Sequence, residues 1–216
     1  MSPPMDVLRL GRMGWDAGWE VQTAAHAAVV AGAADRLILV EHPPTITLGR
    51  STRPEDLPLT DEELRARGLS VFQASRGGSV TYHGPGQVVA YPIVNLRRRG
   101  VAMRAYVEVL EEATAGVLGE FGIEAYIRPG LTGVWTHGGK IAAIGVQVSR
   151  GVTLHGLALN VEPDLAAFDL VVPCGLAGEP VTSMAREGVE TDMVHVEEAL
   201  VGWVQRSLAQ AGCLGR

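Results

Sequence analysis

The sequence predicts an α+β fold: a mixed, largely antiparallel sheet flanked by helices. Three observations predict it. Residues 140–148 and 153–161 are long apolar runs that read as a hairpin turning at Ser149-Arg150-Gly151. Only three stretches have the length and pattern of sizeable helices. Short strand-like runs lie between them without the regular strand–helix alternation of a doubly wound sheet.

The elements follow in order. Residues 7–10 can form a short strand, and residues 15–31 a helix that ends near Gly32. Residues 37–41 read as a buried strand stopped by His42-Pro43-Pro44, and residues 45–48 as another short strand. Thr60 followed by Glu63 is a capping box that starts a short helix, with Gly68 as its stop. Residues 70–73 alternate like a strand, and strands over 79–83 and 88–94 flank a Gly-rich stretch. The clearest helix covers 103–121, with Tyr106, Val109, Leu110, Ala113, Val117 and Phe121 on one stripe. Gly122 closes it. Short strands at 124–128 and 134–136 precede the hairpin, and residues 194–211 form a last helix.

A length of 216 residues with 47% apolar and 19% charged side chains fits one globular domain over 1–216. A net charge of −6 argues against nucleic acid as a partner, since such binders show a basic surface. No stretch of about 18 apolar residues is present, so no membrane span is expected. The opening Met1-Ser2-Pro3-Pro4-Met5-Asp6 lacks the basic and apolar regions of a signal peptide. Two cysteines, Cys174 and Cys213, make no disulfide framework. The expectation is a soluble cytoplasmic protein with reduced thiols.

The basic residues are 17 arginines and one lysine, Lys140. Such a bias fits a GC-rich genome. Where any cation would serve, the chain uses arginine. Lys140 is then either a leftover surface lysine or a place where only an amine works, because only an amine loses its proton readily near neutral pH. It opens an apolar strand, in Gly138-Gly139-Lys140-Ile141-Ala142-Ala143-Ile144-Gly145. On a strand Lys140, Ala142 and Ile144 share a face. Partial burial there favours the neutral amine, a possible proton acceptor.

Two other stretches can carry chemistry. Arg76-Gly77-Gly78-Ser79-Val80-Thr81-Tyr82-His83-Gly84-Pro85-Gly86-Gln87 has more glycine than a hairpin requires. It is either a ligand frame with exposed N–H groups or a structural turn. It matches neither a P-loop nor a Rossmann fingerprint. In Val172-Pro173-Cys174-Gly175-Leu176 a turn presents a thiol, either a nucleophile or a buried structural cysteine. Cys213 has no such setting. No metal site is expected, as the six histidines and two cysteines lack ligand spacing. His26 and His195 read as structural or solvated, whereas His83 and His155 lie beside the Gly-rich elements. Arg97-Arg98-Arg99-Gly100 is a solvated turn or a docking spot for an acidic partner.

Together these stretches resemble the lipoyl(octanoyl) transferase family. The match covers the 76–87 and 140–145 segments, His42-Pro43-Pro44 with Thr47-Leu48-Gly49-Arg50, the run 153–161, and Pro173-Cys174-Gly175 followed by Val181-Thr182-Ser183. These motifs occur in the family's order over roughly residues 5–210. The resemblance implies a fold like that of lipoate and biotin protein ligases. It implies transfer of an octanoyl group from octanoyl-acyl carrier protein to a lysine of lipoyl domains. Those domains belong to 2-oxoacid dehydrogenase complexes and the glycine cleavage H protein. Cys174 takes the place of the acyl-thioester cysteine and Lys140 that of its partner lysine. The substrate contacts map onto Arg76 through His83, onto Ala143, Ile144 and Gly145, and onto Gly156, Leu157 and Ala158. No cofactor is implied, and a monomer is expected. An acidic carrier meeting an acidic enzyme calls for a local basic face, expected at Arg97-Arg98-Arg99 with Arg104.

Overall fold

The computed structural model describes residues 5–172 and 179–214. The chain runs β1 (Asp6–Arg12), α1 (Trp15–Val30), β2 (Arg36–Glu41), β3 (Thr45–Leu48), α2 (Asp61–Ala66), β4 (Ser70–Gln73), β5 (Val80–His83) and β6 (Gln87–Ile93). It continues with α3 (Leu96–Arg99), α4 (Met103–Glu120), β7 (Tyr126–Arg128), β8 (Leu131–Thr136), β9 (Gly139–Ser149), β10 (Val152–Asn160) and α5 (Met193–Leu214). Two 3₁₀ turns, Pro54–Asp56 and Leu165–Leu170, complete it.

Seven strands form one sheet in the order β1-β2-β6-β10-β9-β8-β7, and β4-β3-β5 form a smaller second sheet. Only the β1–β2 and β3–β4 pairs are parallel. The expected α+β architecture is therefore the one observed. The β9–β10 hairpin is paired continuously from Val152–Ser149 to Leu159–Ala142, turning where Ser149-Arg150-Gly151 predicted.

Both faces of the large sheet are covered, which explains the unbroken apolar run in β2. Leu37 and Leu39 pack toward α4 and α5 with Tyr106, Leu110, Leu200 and Val204. Ile38 and Val40 pack toward α1 with Ala25, Val29 and Val89. A third cluster sits under the small sheet, with Ile46, Leu64, Val80, Tyr82 and Phe168.

Three local features differ from expectation. Residues 96–99 form a helical turn rather than an open turn: the Asn95 side chain accepts from Arg98 N–H at 2.9 Å, and Gly100 closes the turn at φ 68°. Strand β8 starts three residues earlier than expected, because Pro129-Gly130 is a tight turn that pairs Arg128 with Leu131. A bulge between Val134 and Trp135 shifts the β8–β9 register beside Lys140.

Candidate active site

A cavity of about 450 Å³ opens between the Gly-rich turn, the β9–β10 hairpin and the start of α4. Its size lies within the roughly 300–1,000 Å³ of small-molecule sites. The turn lies along β9 beyond the point where β8 ends, with Gly77 N–H donating to Val146 O at 2.9 Å. Gly145 makes the approach possible: a Cβ there would lie 3.0 Å from both the Arg76 side chain and Gly77 O.

The sequence-derived contacts converge on this cavity. Arg76, Gly77, Gly78, Ser79, Val80, Thr81 and His83 line one wall, Ala143, Ile144 and Gly145 the next, and Gly156, Leu157 and Ala158 the β10 side. Tyr82 does not line it. Strand alternation turns its ring into the small-sheet cluster, edge-on to Phe168 at 5.3 Å. Sequence reasoning missed Trp15, Tyr91, Asn160, Met103 and Val107, which also line the cavity. No local sequence signal marked them, because each reaches the cavity through tertiary packing; Met103 at the start of α4 is 47% exposed.

Lys140 lines the same cavity. Its backbone is held on the side away from β8: Lys140 N–H donates to Pro180 O at 2.8 Å, and Thr182 N–H donates to Lys140 O at 3.0 Å. The preceding glycine is required, because Gly139 has φ 134° and a Cβ would meet Pro180 O at 2.3 Å. The side chain runs toward β8, where Nζ donates to Thr132 O at 3.1 Å and stands 5.1 Å from the Trp135 ring centroid. Glu111 on α4 supports that strand by accepting Gly133 N–H at 2.9 Å. Burial holds its carboxyl above the usual range, and the Gly133 bond opposes the shift.

Cys174 lies outside the described residues, with the rest of Pro173-Cys174-Gly175. Their described flanks are anchored. Val172 N–H donates to Asp56 O at 2.9 Å. The buried Asp56 carboxylate accepts from the Ser79 hydroxyl and from Arg53 N–H. The far flank is Pro180, bonded to Lys140.

A cluster of histidines and aromatic rings fills the α1 side. His42 Nδ1–H donates to Met13 O at 2.7 Å, and the Tyr91 hydroxyl donates to Nε2 at 2.8 Å. His83 Nδ1–H donates to Gln87 Oε1 at 2.7 Å. Burial pushes His83 down to about 3, with the His42 ring adding to it. Burial likewise pushes His155 down to about 3, helped by the charges of Arg76 and Arg50. Burial also lowers His42, against its bond to Met13. These imidazoles are neutral at pH 7. Arg76 braces the turn: its Nη1 donates to Ser79 O at 2.7 Å and its Nη2 to Thr47 O at 2.7 Å.

Residues 16–205 match the family described as the lipoyl protein ligase A/B catalytic domain. The chain belongs to this family. An octanoyltransferase of Chloroflexus aggregans is 50% identical over 202 residues, covering 91% of each chain. Among solved structures, lipoate-protein ligase A bound with ATP aligns at TM-score 0.76 and 16% identity, over 95% of this chain and 86% of that one. The biotin protein ligase from Aquifex aeolicus aligns at TM-score 0.58 and 10% identity, over 95% and 71%. The fold expected from the resemblance is thus the fold found.

Two arginines of the expected basic cluster in this lipoyl protein ligase A/B domain have a structural role. Arg98 and Arg99 both pair with Asp35, which is fully buried, and the Arg99 side chain is only 4% exposed. Asp35 also accepts Asn95 N–H at 2.9 Å. Arg104 pairs with Glu108. Arg98 and Arg99 therefore clamp the β2 entry to α3, while Arg97 and Arg104 remain exposed. Among the described residues, no helix is long and apolar enough to cross a membrane, and no group of three or more His, Cys, Asp or Glu is placed to hold a metal.

Proposed function

We propose that this chain is an octanoyltransferase of lipoate biosynthesis that works through a cysteine thioester. The observation that carries the reading is the position of the only lysine: Lys140 lines the cavity that gathers the acyl-contact segments. The octanoyltransferase named above, half identical over nearly the whole length, supports the same reading.

The Cys174 thiolate attacks the carbonyl of octanoyl-acyl carrier protein. A C–S bond forms, the carrier C–S bond breaks, and the carrier thiol leaves with a proton from Lys140. The amine of a lipoyl-domain lysine then attacks the new thioester. A C–N bond forms, the Cys174 thiolate leaves, and Lys140 takes the proton lost by the amine. Because the donor is already a thioester, no ATP activation is needed. The second step is downhill because an amide replaces a thioester. Six internal methylenes supply about 5 kcal/mol if fully buried, at roughly 0.8 kcal/mol each. The small side chains of Ala143 and Ala158 leave room for them along the cavity wall. The acceptors are lipoyl domains of 2-oxoacid dehydrogenase complexes and the glycine cleavage H protein, met in the cytoplasm by a monomeric enzyme.

The flanks of the Cys174 segment support this reading. The chain leaves at Val172 beside Asp56, which holds Ser79, and returns at Pro180 against Lys140. Both fastenings are to residues of the cavity wall or their direct partners. The test is intact-mass analysis after mixing with octanoyl carrier protein without ATP. One octanoyl adduct is expected, labile to hydroxylamine, absent in Cys174→Ser, and discharged onto a lipoyl domain. No adduct, or one that persists in Cys174→Ser, overturns the mechanism, and a requirement for ATP points to a ligase instead.

A further inference from the structure

Trp135 carries a buried polar atom that packing alone does not explain. The residue is fully buried, and among the described residues its Nε1–H has no hydrogen-bond partner. An orphaned donor in the interior is costly, and a phenyl or isobutyl group would fill apolar space without it. What an indole adds is the strongest π face of any side chain. Lys140 Nζ lies over that face, 5.1 Å from the ring centroid. The Arg128 guanidinium lies 5.5 Å from the same ring, but its charge is offset by Glu179 at 2.8 Å.

The β8–β9 bulge creates this contact. Val134 pairs with Ala142, so regular antiparallel pairing would carry Trp135 to Ile141. Ring and amine would then lie on opposite faces of the sheet. The extra residue on β9 shifts the register, and Trp135 stands directly opposite Lys140 instead. Bulges beside active sites re-aim side chains in this way. Other groups face the amine from each neighbouring element. Thr132 O on β8 accepts from it at 3.1 Å, and the Glu111 carboxylate on α4 feels its charge. Tyr126 on β7 pairs with Trp135, with His137 beside it. Glu187 reaches this end of the sheet only through Thr136 and Thr182.

We propose that Trp135 is a positioning residue that seats the Lys140 head group on its π face and holds it as an ammonium until the carrier thiol leaves. This rests on the reading of Lys140 as the proton-transfer group. The ring quadrupole attracts the charged amine far more than the neutral one, so the seat favours the form that can donate a proton. The first half-reaction consumes that form. One ammonium N–H bond breaks, its electron pair stays on nitrogen, and the proton goes to the departing carrier sulfur. The neutral amine that remains is held less tightly by the ring and accepts the proton of the incoming amine.

The test uses the single lysine of the chain. Lysine labelled with carbon-13 at Cε gives the full-length protein one Cε–Hε signal, and its pH titration reports Lys140 alone. In the native protein the Hε protons are expected upfield of free lysine, shifted by the indole ring current. A random-coil position overturns the inference and needs no variant. Trp135→Leu should lower the titration midpoint by about half a pH unit or more, the scale of a partly buried cation–π contact. Trp135→Phe keeps an aromatic face and should fall between the two. In single-turnover acylation by octanoyl carrier protein, the alkaline limb of the rate profile should move to lower pH with the midpoint. An unchanged or raised midpoint in Trp135→Leu, an equal fall in both variants, or an alkaline limb that stays in place overturns the inference. If the native protein takes up no octanoyl group, the transferase reading itself falls, an outcome distinct from any result of the titration.

Discussion

Lys140 and Gly133 share one space across two antiparallel strands. A Cβ on residue 133 would lie 2.6 Å from Lys140 Cε and 2.7 Å from Ala142 O, and Gly133 itself has φ 136°. The missing side chain is what lets the lysine stem reach along β8 to the Thr132 carbonyl. An arginine keeps the charge, but its forked head is larger and does not give up a proton near neutral pH. Lys140→Arg is therefore expected to lower single-turnover transfer to a lipoyl domain by about 10² or more, the range of a lost acid–base group. Its melting temperature should stay close to that of the native chain. Activity within a few-fold of native would remove Lys140 from the proton transfers.

The Asp35 clamp makes a separate prediction about stability. Its carboxylate is fully buried and holds Arg98, Arg99 and Asn95 N–H. Removing Arg99 leaves the buried carboxylate with Arg98 as its remaining charge partner. Arg99→Ala is expected to cost about 1.5–3 kcal/mol in denaturant unfolding, the scale of a lost charge-assisted hydrogen bond. A loss below about 1 kcal/mol would mean that water reaches Asp35 once the guanidinium is gone.

The buried histidines predict an acid-side loss of stability. Their folded values, about 3 for His83 and His155, lie below the ordinary value of about 6.5. The unfolded chain therefore binds more protons in that window. The stabilisation is complete above about pH 6.5 and is lost as pH falls toward 3, at about 1.4 kcal/mol per pH unit for each imidazole. Between pH 6 and 5, before ordinary carboxylates titrate, unfolding free energy should drop by that slope times the number of buried imidazoles. His155→Phe should remove one proton's worth of slope. A flat profile from pH 7 to 5 would show that these rings are solvated.

Local pattern was enough to read most of the fold. The hairpin, the Thr60 capping box and the α4 stripe all depend on residues within a few positions of each other, and each stands where its signal placed it. Two further signals were equally local and went unread: the Asn95 to Gly100 capping pair around α3, and the Pro129-Gly130 turn before β8. The site was less legible because it is assembled from long-range pairs. Nothing near Arg98 or Arg99 in sequence announces Asp35, more than sixty positions earlier. Tyr82 belongs to the same motif as Thr81 and His83, yet the period of a strand sends its ring to the other side. Trp15 reaches the cavity only because α1 packs over β10.

Glu187 is expected to act as a positioning residue for Lys140, through hydroxyls rather than by touching it. Its Oε1 accepts from Thr136 Oγ1 and Thr182 Oγ1, both at 2.8 Å. These residues sit on either side of Lys140: Thr136 ends β8, and Thr182 N–H donates to Lys140 O. The carboxylate thus ties the 180–182 segment to β8, the strand whose Thr132 carbonyl holds the amine. Gly138 leaves the room, since a Cβ there would lie 2.2 Å from Glu187 Oε1. Glu187→Ala frees both hydroxyls and loosens the fastening. It should slow acyl-enzyme formation by about 10-fold or more, a scale that a misplacement near 1 Å can exceed. Glu187→Gln keeps an Oε1 acceptor for both hydroxyls and should stay within about 3-fold, because the role is to accept rather than to carry charge. Equal losses in the two variants would assign the effect to charge instead, and no loss in Glu187→Ala would show that backbone pairing alone holds Lys140 in place.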